Sequence, residues 1–357
     1  MNWILWGLAF ILLGAPTAML MLDRLAGLSA KRFFRTQGLP ALFAFTALSA
    51  YLLAARDPLF ELVWWGFVGG IVGTIALDAV RLLGVKTGAF PMDMPMMFGA
   101  MVLGIAPVVQ RKIVAQVVAD IAKLPPEERW REMLARMKYL AAAPAWRRRL
   151  MMSGMLEGLR RLPQEQAYAM RRAQMEILTS LPEDARTTLM KTMDELMLGT
   201  APIEEPLRSS LRNPSGVKLP QIAMRDFREK AKRAFPEASE ETRVSMKAIA
   251  AAGYTWHFVN GATYGIAFTL LFGTGSWVLA ILWGVFVWVV MMVSMPKMMP
   301  MIKFPIPRFL FVPLIAHIAM VIPIGYFAIN FVSPMTSGSS FVSGTGLDWL
   351  LWALGLA

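Results

Sequence analysis

The sequence predicts an all-α, polytopic membrane protein of six or seven membrane segments, interrupted by an inserted soluble helical-repeat domain. Three observations predict it. The 357 residues are 56% hydrophobic with a mean hydropathy of +0.50, more apolar than an ordinary soluble enzyme. Charge is segregated: residues 111–247 hold 26 of the 36 Lys and Arg and 18 of the 24 Asp and Glu. Finally, prolines at 126, 144, 163, 182 and 202 divide that charged centre at intervals of 18 to 20 residues.

The spans follow in chain order. A hydrocarbon core of ~30 Å takes about 20 apolar residues as helix. Segment 3–22 qualifies, and Arg24, Lys31, Arg32 and Arg35 follow it with no Lys or Arg before. That pattern reads as a retained span with an outside N-terminus, because a signal peptide begins with a basic region. Segment 40–55 is short but apolar. Segment 62–80 carries Gly66, Gly69, Gly70 and Gly73, two interleaved small-xxx-small pairs suited to close helix packing. Segment 90–110 is interrupted by Pro91 and Pro95 and carries Asp93, which suits a re-entrant or broken helix. Segments 248–273, 276–295 and 304–332 complete the set.

The expected domains are 1–110 and 248–332 in the membrane, 111–247 in water, and a tail, 333–357, whose last eleven residues lie on the surface as a short interfacial helix. The basic excess near Lys297, Lys303 and Arg308 places the centre in the cytoplasm of a cell bounded by this (inner) membrane. Four full N-terminal spans would put it outside, so 90–110 is expected not to cross.

Within the centre, Pro126, Pro163 and Pro182 are each followed by acidic or amide residues. Proline fits a helix's first turn, and acids there face the positive end of its dipole. Seven residues past the first four prolines stand Met133, Met151, Met170 and Leu189; fourteen past stand Leu140, Gly158, Ile177 and Leu196. These positions share one helical stripe, so the block reads as consecutive helices of roughly 14 residues stacked on one another. Residues 203–220 read as a loop.

Composition also excludes chemistries. Cysteine is absent and histidine occurs only at 257 and 317, so disulfides, thiolate sites and three-histidine metal sites are out. No serine or threonine nucleophile has a histidine base and no phosphate loop occurs, so the chain is not expected to be an enzyme. The net charge of +12 favours anionic lipid headgroups over nucleic acid, for which no recognition motif is present.

Several constellations remain. His257 and His317 fall at similar depth on two parallel helices and could ligate haem b or a shared metal. Gly261 and Gly265 beside His257 would admit a flat ring or another helix. Methionine is abundant, with Met92, Met94 and Met97 around Asp93 forming a candidate Cu(I) site; the same residues also serve as adaptable packing. Asp78 and Arg81 form an i, i+3 ion pair, and Glu61 is a further intramembrane carboxylate. Arg147, Arg148, Arg149, Arg225, Arg228, Lys232 and Arg233 form a basic face for lipid or an acidic partner.

The expected function is a non-catalytic accessory or scaffolding subunit of a larger membrane assembly, without a cofactor. The alternatives are a transporter or copper- and cation-handling protein, and a haem-b electron-transfer subunit.

Overall fold

The computed structural model describes residues 3–26, 30–88, 94–198, 222–298, 302–303 and 308–338. The expected loop 203–220, the tail helix after 346, Met92 and Asp93 lie outside them. The described chain is helical apart from a two-residue parallel pairing of Ile222–Ala223 with Ile302–Lys303.

The first apolar flank comprises α1 (Trp3–Ala26), the short α2 (Ala30–Phe33), a π-helical turn at Phe34–Gly38, α3 (Leu39–Ala54), α4 (Leu59–Thr87) and α5 (Met94–Val102). The centre comprises α6 (Ala106–Ala122), α7 (Pro126–Ala142), α8 (Ala145–Arg161), α9 (Gln164–Ser180), α10 (Glu183–Met197) and α11 (Met224–Thr242). The second flank comprises α12 (Met246–Phe272), α13 (Trp277–Met298), α14 (Arg308–Phe331) and α15 (Pro334–Ser337).

Among the described residues, four helical stretches are long and apolar enough to cross a membrane: Phe34–Ala54, Leu59–Thr87, Trp277–Ser294 and Leu310–Phe331. The sequence led us to expect six or seven. Two of the shortfalls have clear causes. Segment 90–110 splits where Gly104 takes a left-handed φ of 74°, leaving the nine residues of α5, about 13 Å long. Helix α12 has 27 residues, yet it packs against α4, α5 and α1. Thr, Asn, His and Tyr are tolerated on it because neighbouring helices cover them.

Helix α4 is the hub of the bundle, and its four glycines divide between two neighbours. A Cβ on Gly66 would sit 2.6 Å from the Cα of Ile266, and one on Gly70 2.7 Å from that of Ala262, both in α12. On Gly69 it would sit 3.0 Å from the Cα of Ile324 in α14, while on Gly73 it would overlap the carbonyl oxygen of Met320. Residues three apart on a helix lie about 60° apart in azimuth, so the interleaved pairs seat two helices side by side. Gly261 and Gly265 of α12 return the contact against Thr74, Gly70 and Gly66. As numbers rise on α4 they fall on both partners. Thus α12 and α14 each run antiparallel to α4, and parallel to each other.

In the centre the proline frame governs. Pro144, Pro163 and Pro182 are N-caps with ψ near 145–150°, and Pro126 opens α7 behind the N-cap Pro125. The helices run 17, 17, 17 and 15 residues, longer than expected because each continues almost to the next proline. The stripe read from the sequence is the core: Met133, Met151, Met170 and Leu189 are buried, as are Leu140 and Ile177. The contacts skip along the chain: α7 packs on α9, and α10 packs on both α7 and α8. Gly158, on the same stripe, lets α8 lie on α6, where an added Cβ would come within 2.8 Å of Val118. One apolar core runs unbroken from Met94 in α5 through α6 and the repeats to Phe235 in α11 and Ile249 in α12.

Candidate functional site

Nineteen residues into α4, Asp78 accepts from two side chains on one oxygen. Arg81 Nε donates to its Oδ1 at 2.7 Å, and His257 Nε2, from α12, lies 3.0 Å from the same atom. The Arg81 side chain is 3% exposed, those of Asp78 and His257 12%. Arg81 also reaches the Tyr254 hydroxyl at 3.3 Å. The i, i+3 ion pair expected from the sequence is therefore one part of a larger group that joins α4 to α12. Ionisable residues at such depth are expensive unless paired and concentrate at functional sites.

This group borders a cavity of about 150 Å³ with walls from α1, α4, α5, α12, α13 and α14. The walls are mostly apolar, with polar groups drawn from Arg81, His257, Asn260 and His317. Both histidines thus face one space. The antiparallel registers place His257 and His317 at the level of residues 75 and 76 of α4, an axial difference of about 1.5 Å. His317 is fixed differently: its Nδ1 donates to the carbonyl oxygen of Pro313, 2.7 Å away on its own helix.

The candidate cofactors separate on size. As it stands the cavity has about the volume that accepts a benzene-sized guest, smaller than a tetrapyrrole. Among the described residues no three His, Asp or Glu side chains cluster to hold a metal. Thioethers do converge: Met94 of α5, Met291 of α13 and Met320 of α14 line the cavity. Of the methionines expected around Asp93, Met94 is therefore at the cavity. Met97 is buried in the core shared with the repeat block.

The remaining candidates lie elsewhere. Glu61, at the start of α4, accepts hydrogen bonds from the backbone N–H and hydroxyl of Ser333, the N-cap of α15. It lies about 25 Å along α4 from Asp78 and serves as an anchor. The basic run at 147–149 is half-buried and bonded within the chain. Arg147 donates to the Tyr139 hydroxyl and lies over Trp146, Arg148 to the Thr192 hydroxyl, and Arg149 to Glu195 at 3.0 Å. These contacts staple α8 to α7 and α10, so no open basic face forms there. Lys232 and Arg233 are exposed on α11, and Lys232 pairs with Glu229 at 3.3 Å. The side chains of Arg225 and Arg228 are outside the described set.

One polar cluster was not foreseen. Arg111 and Lys112 of α6, Glu157 and Arg161 of α8, and Glu237 and Glu241 of α11 alternate in sign across three helices. Burial alone would raise the Glu241 carboxyl, but hydrogen bonds from Arg111 and Lys112 outweigh it and hold it below its ordinary value. Burial likewise opposes the Lys112 charge, and Glu157 and Glu241 overcome it, so its ammonium is held above the usual lysine range.

Comparison of the chain with protein-family profiles, curated proteins and solved structures found no match to any of them.

Proposed function

We propose that this chain is a multi-pass membrane protein that handles cations, with the Asp78–His257 pair and its cavity as the working site. The carrying observation is that pair: a carboxylate and an imidazole from two antiparallel helices, 3.0 Å apart, the imidazole on the wall of a cavity within the apolar bundle and the carboxylate behind it. A purely structural bundle needs neither the ionisable groups nor the space, and both carry a free-energy cost. The reading takes the place of the scaffolding role expected from the sequence. The four glycines of α4, expected to serve close helix packing, are all spent on α12 and α14 of the same chain.

In this reading the repeat block stands in the cytoplasm against the inner face of the cell membrane and modulates the site. Helix α5 supports that role, since Met94 lines the cavity and also belongs to the core shared with the repeats. A scaffolding contribution keeps one specific support. Met190, Met197 and Leu198 are exposed at the end of the repeat stack, and terminal repeats ordinarily need a polar cap.

The test is flux. Full-length protein in proteoliposomes carrying internal proton- and metal-sensitive dyes should pass protons or metal cations faster than empty vesicles. Asp78→Asn, which keeps the shape and removes the charge, should return the rate to that of empty vesicles. Wild-type protein no faster than empty vesicles would overturn the proposal.

A further inference from the structure

We infer that the cavity is a binding site for a soft monovalent metal ion of the Cu(I) or Ag(I) type, held by His257, His317 and the thioethers of Met94, Met291 and Met320. The inference deepens the cation-handling reading and rests on it for the ion's purpose, though not for its binding.

A carbonyl oxygen can only accept a hydrogen bond, so the proton of His317 sits on Nδ1, facing Pro313, and its Nε2 carries a lone pair. An ionised carboxylate likewise only accepts, so His257 carries its proton on Nε2, facing Asp78, and in the neutral ring Nδ1 carries the lone pair. Both imidazoles therefore have the arrangement usual in metal sites, where the nitrogen away from the metal is tied to a carboxylate or backbone carbonyl. Neither free nitrogen has a partner among the described residues.

The hydrogen-bond donors around the cavity are largely spent. Arg81 is engaged by Asp78 and Tyr254, the Thr74 hydroxyl by the carbonyl of Gly70, and the Ser294 hydroxyl by that of Met291. Beside Asn260, Trp256 and Tyr264, the wall carries a set of electron-pair donors, two nitrogens and three sulfurs, from four helices. Such a set invites a Lewis acid in preference to an anion or a carbonyl ligand.

The same set selects among metals. Hard cations require oxygen ligands, and the one carboxylate at hand, Asp78, already shares an oxygen between Arg81 and His257. Thioether and imidazole donors behind an apolar wall suit a soft ion of low charge. Five neutral ligands leave a single positive charge to be accommodated, beside the Asp78–Arg81 pair.

The experiment is competition for metal by the full-length chain in detergent. Cu(I), kept reduced, is shared between the protein and a chromophoric Cu(I) chelator, with Ag(I) as a second probe. The wild type should withdraw about one ion per chain, with nitrogen and sulfur neighbours in its X-ray absorption spectrum. His317→Ala and the volume-conserving double variant Met291→Leu/Met320→Leu should each weaken retention by roughly tenfold or more. Met97→Leu, in the core away from the cavity, should leave it unchanged. Near-ultraviolet circular dichroism of the Met-to-Leu variants certifies that they fold.

Three results would overturn the inference: no withdrawal by the wild type, equal loss in Met97→Leu, or tighter binding of Zn(II) or Mg(II) than of Cu(I). The outcome separates from the flux test. Asp78-dependent proton flux without Cu(I) retention defeats the soft-metal site alone, whereas Cu(I) retention without any flux defeats transport and leaves the site standing.

Discussion

Helix α4 meets its neighbours through Gly66, Gly69, Gly70 and Gly73, backbone against backbone, whereas α7 to α10 meet through Met133, Met170, Ile177 and Leu189. The difference is the one expected between a half placed in lipid and a half placed in water. In lipid, burying apolar side chains between helices gains little, so association favours small residues and close backbone approach. In water the same burial stabilises by roughly 25 cal/mol per Å², so long, adaptable side chains serve well. A fixed polar group such as Asp78 can be positioned accurately only on the stiffer of these two interfaces, and that is where it stands.

The comparison can be broken or sharpened by substitution. The largest effect is expected for Ile177→Ala, which empties a fully enclosed position and should cost about 2–5 kcal/mol, read as a lower denaturant midpoint. An unchanged midpoint would mean that the repeats do not depend on this core. Next comes Gly70→Ala, whose new methyl would meet backbone at 2.7 Å that cannot swing aside. It should cost about 1–3 kcal/mol against the fraction of a kcal/mol that Ala gains in helix propensity, measured by thermal unfolding in detergent. A more stable variant would show that α4 and α12 are not closely packed.

Met133→Leu sharpens the contrast, because a volume-conserving swap in a side-chain core should cost less than about 1.5 kcal/mol. A loss larger than that of Gly70→Ala would invert the comparison.

The smallest effect concerns pH and the α6–α8–α11 ion network. Glu241 titrates below its ordinary value of 4.5 in the folded chain. Its contribution is therefore complete above about pH 4.5 and is lost as pH falls through the lowered value. Lys112 titrates above its ordinary 10.5, so its contribution is present below that pH and is lost only as pH rises through the higher value. A broad plateau between the two limits should appear in the melting temperature, with a decline on the acid side that Glu241→Gln removes. No acid decline in the wild type would contradict the network's role.

Much of the fold was legible because two of its rules are local. The proline period and the stripe at Met133, Met151, Met170 and Leu189 required only helical geometry, and the structure buries all four. The glycine pairs of α4 were visible too, but not that each pair serves a different partner. The Asp78–His257 contact was missed because an i, i+3 partner in Arg81 made Asp78 look complete. A signal existed. Gly70 with Asp78 ascending α4 faces Gly261 with His257 descending α12, and aligning the glycines antiparallel leaves the carboxylate about one helical turn, roughly 6 Å, from the imidazole. The arginines at 148 and 149 were misjudged for a different reason. Their partners, Thr192 and Glu195, lie 44 and 46 residues on, across a repeat whose alternate-helix pairing no local pattern reveals.

Helix α5 belongs to both halves at once. Its residues Met94 and Phe98 face the cavity while Met97, Ala100 and Met101 are set in the repeat core, and only Leu103, Gly104 and Ile105 separate it from α6. So short a rod leaves one party wall between the chamber and the stack, and the spot where Met94 stands is decided by how the stack beneath it is filled.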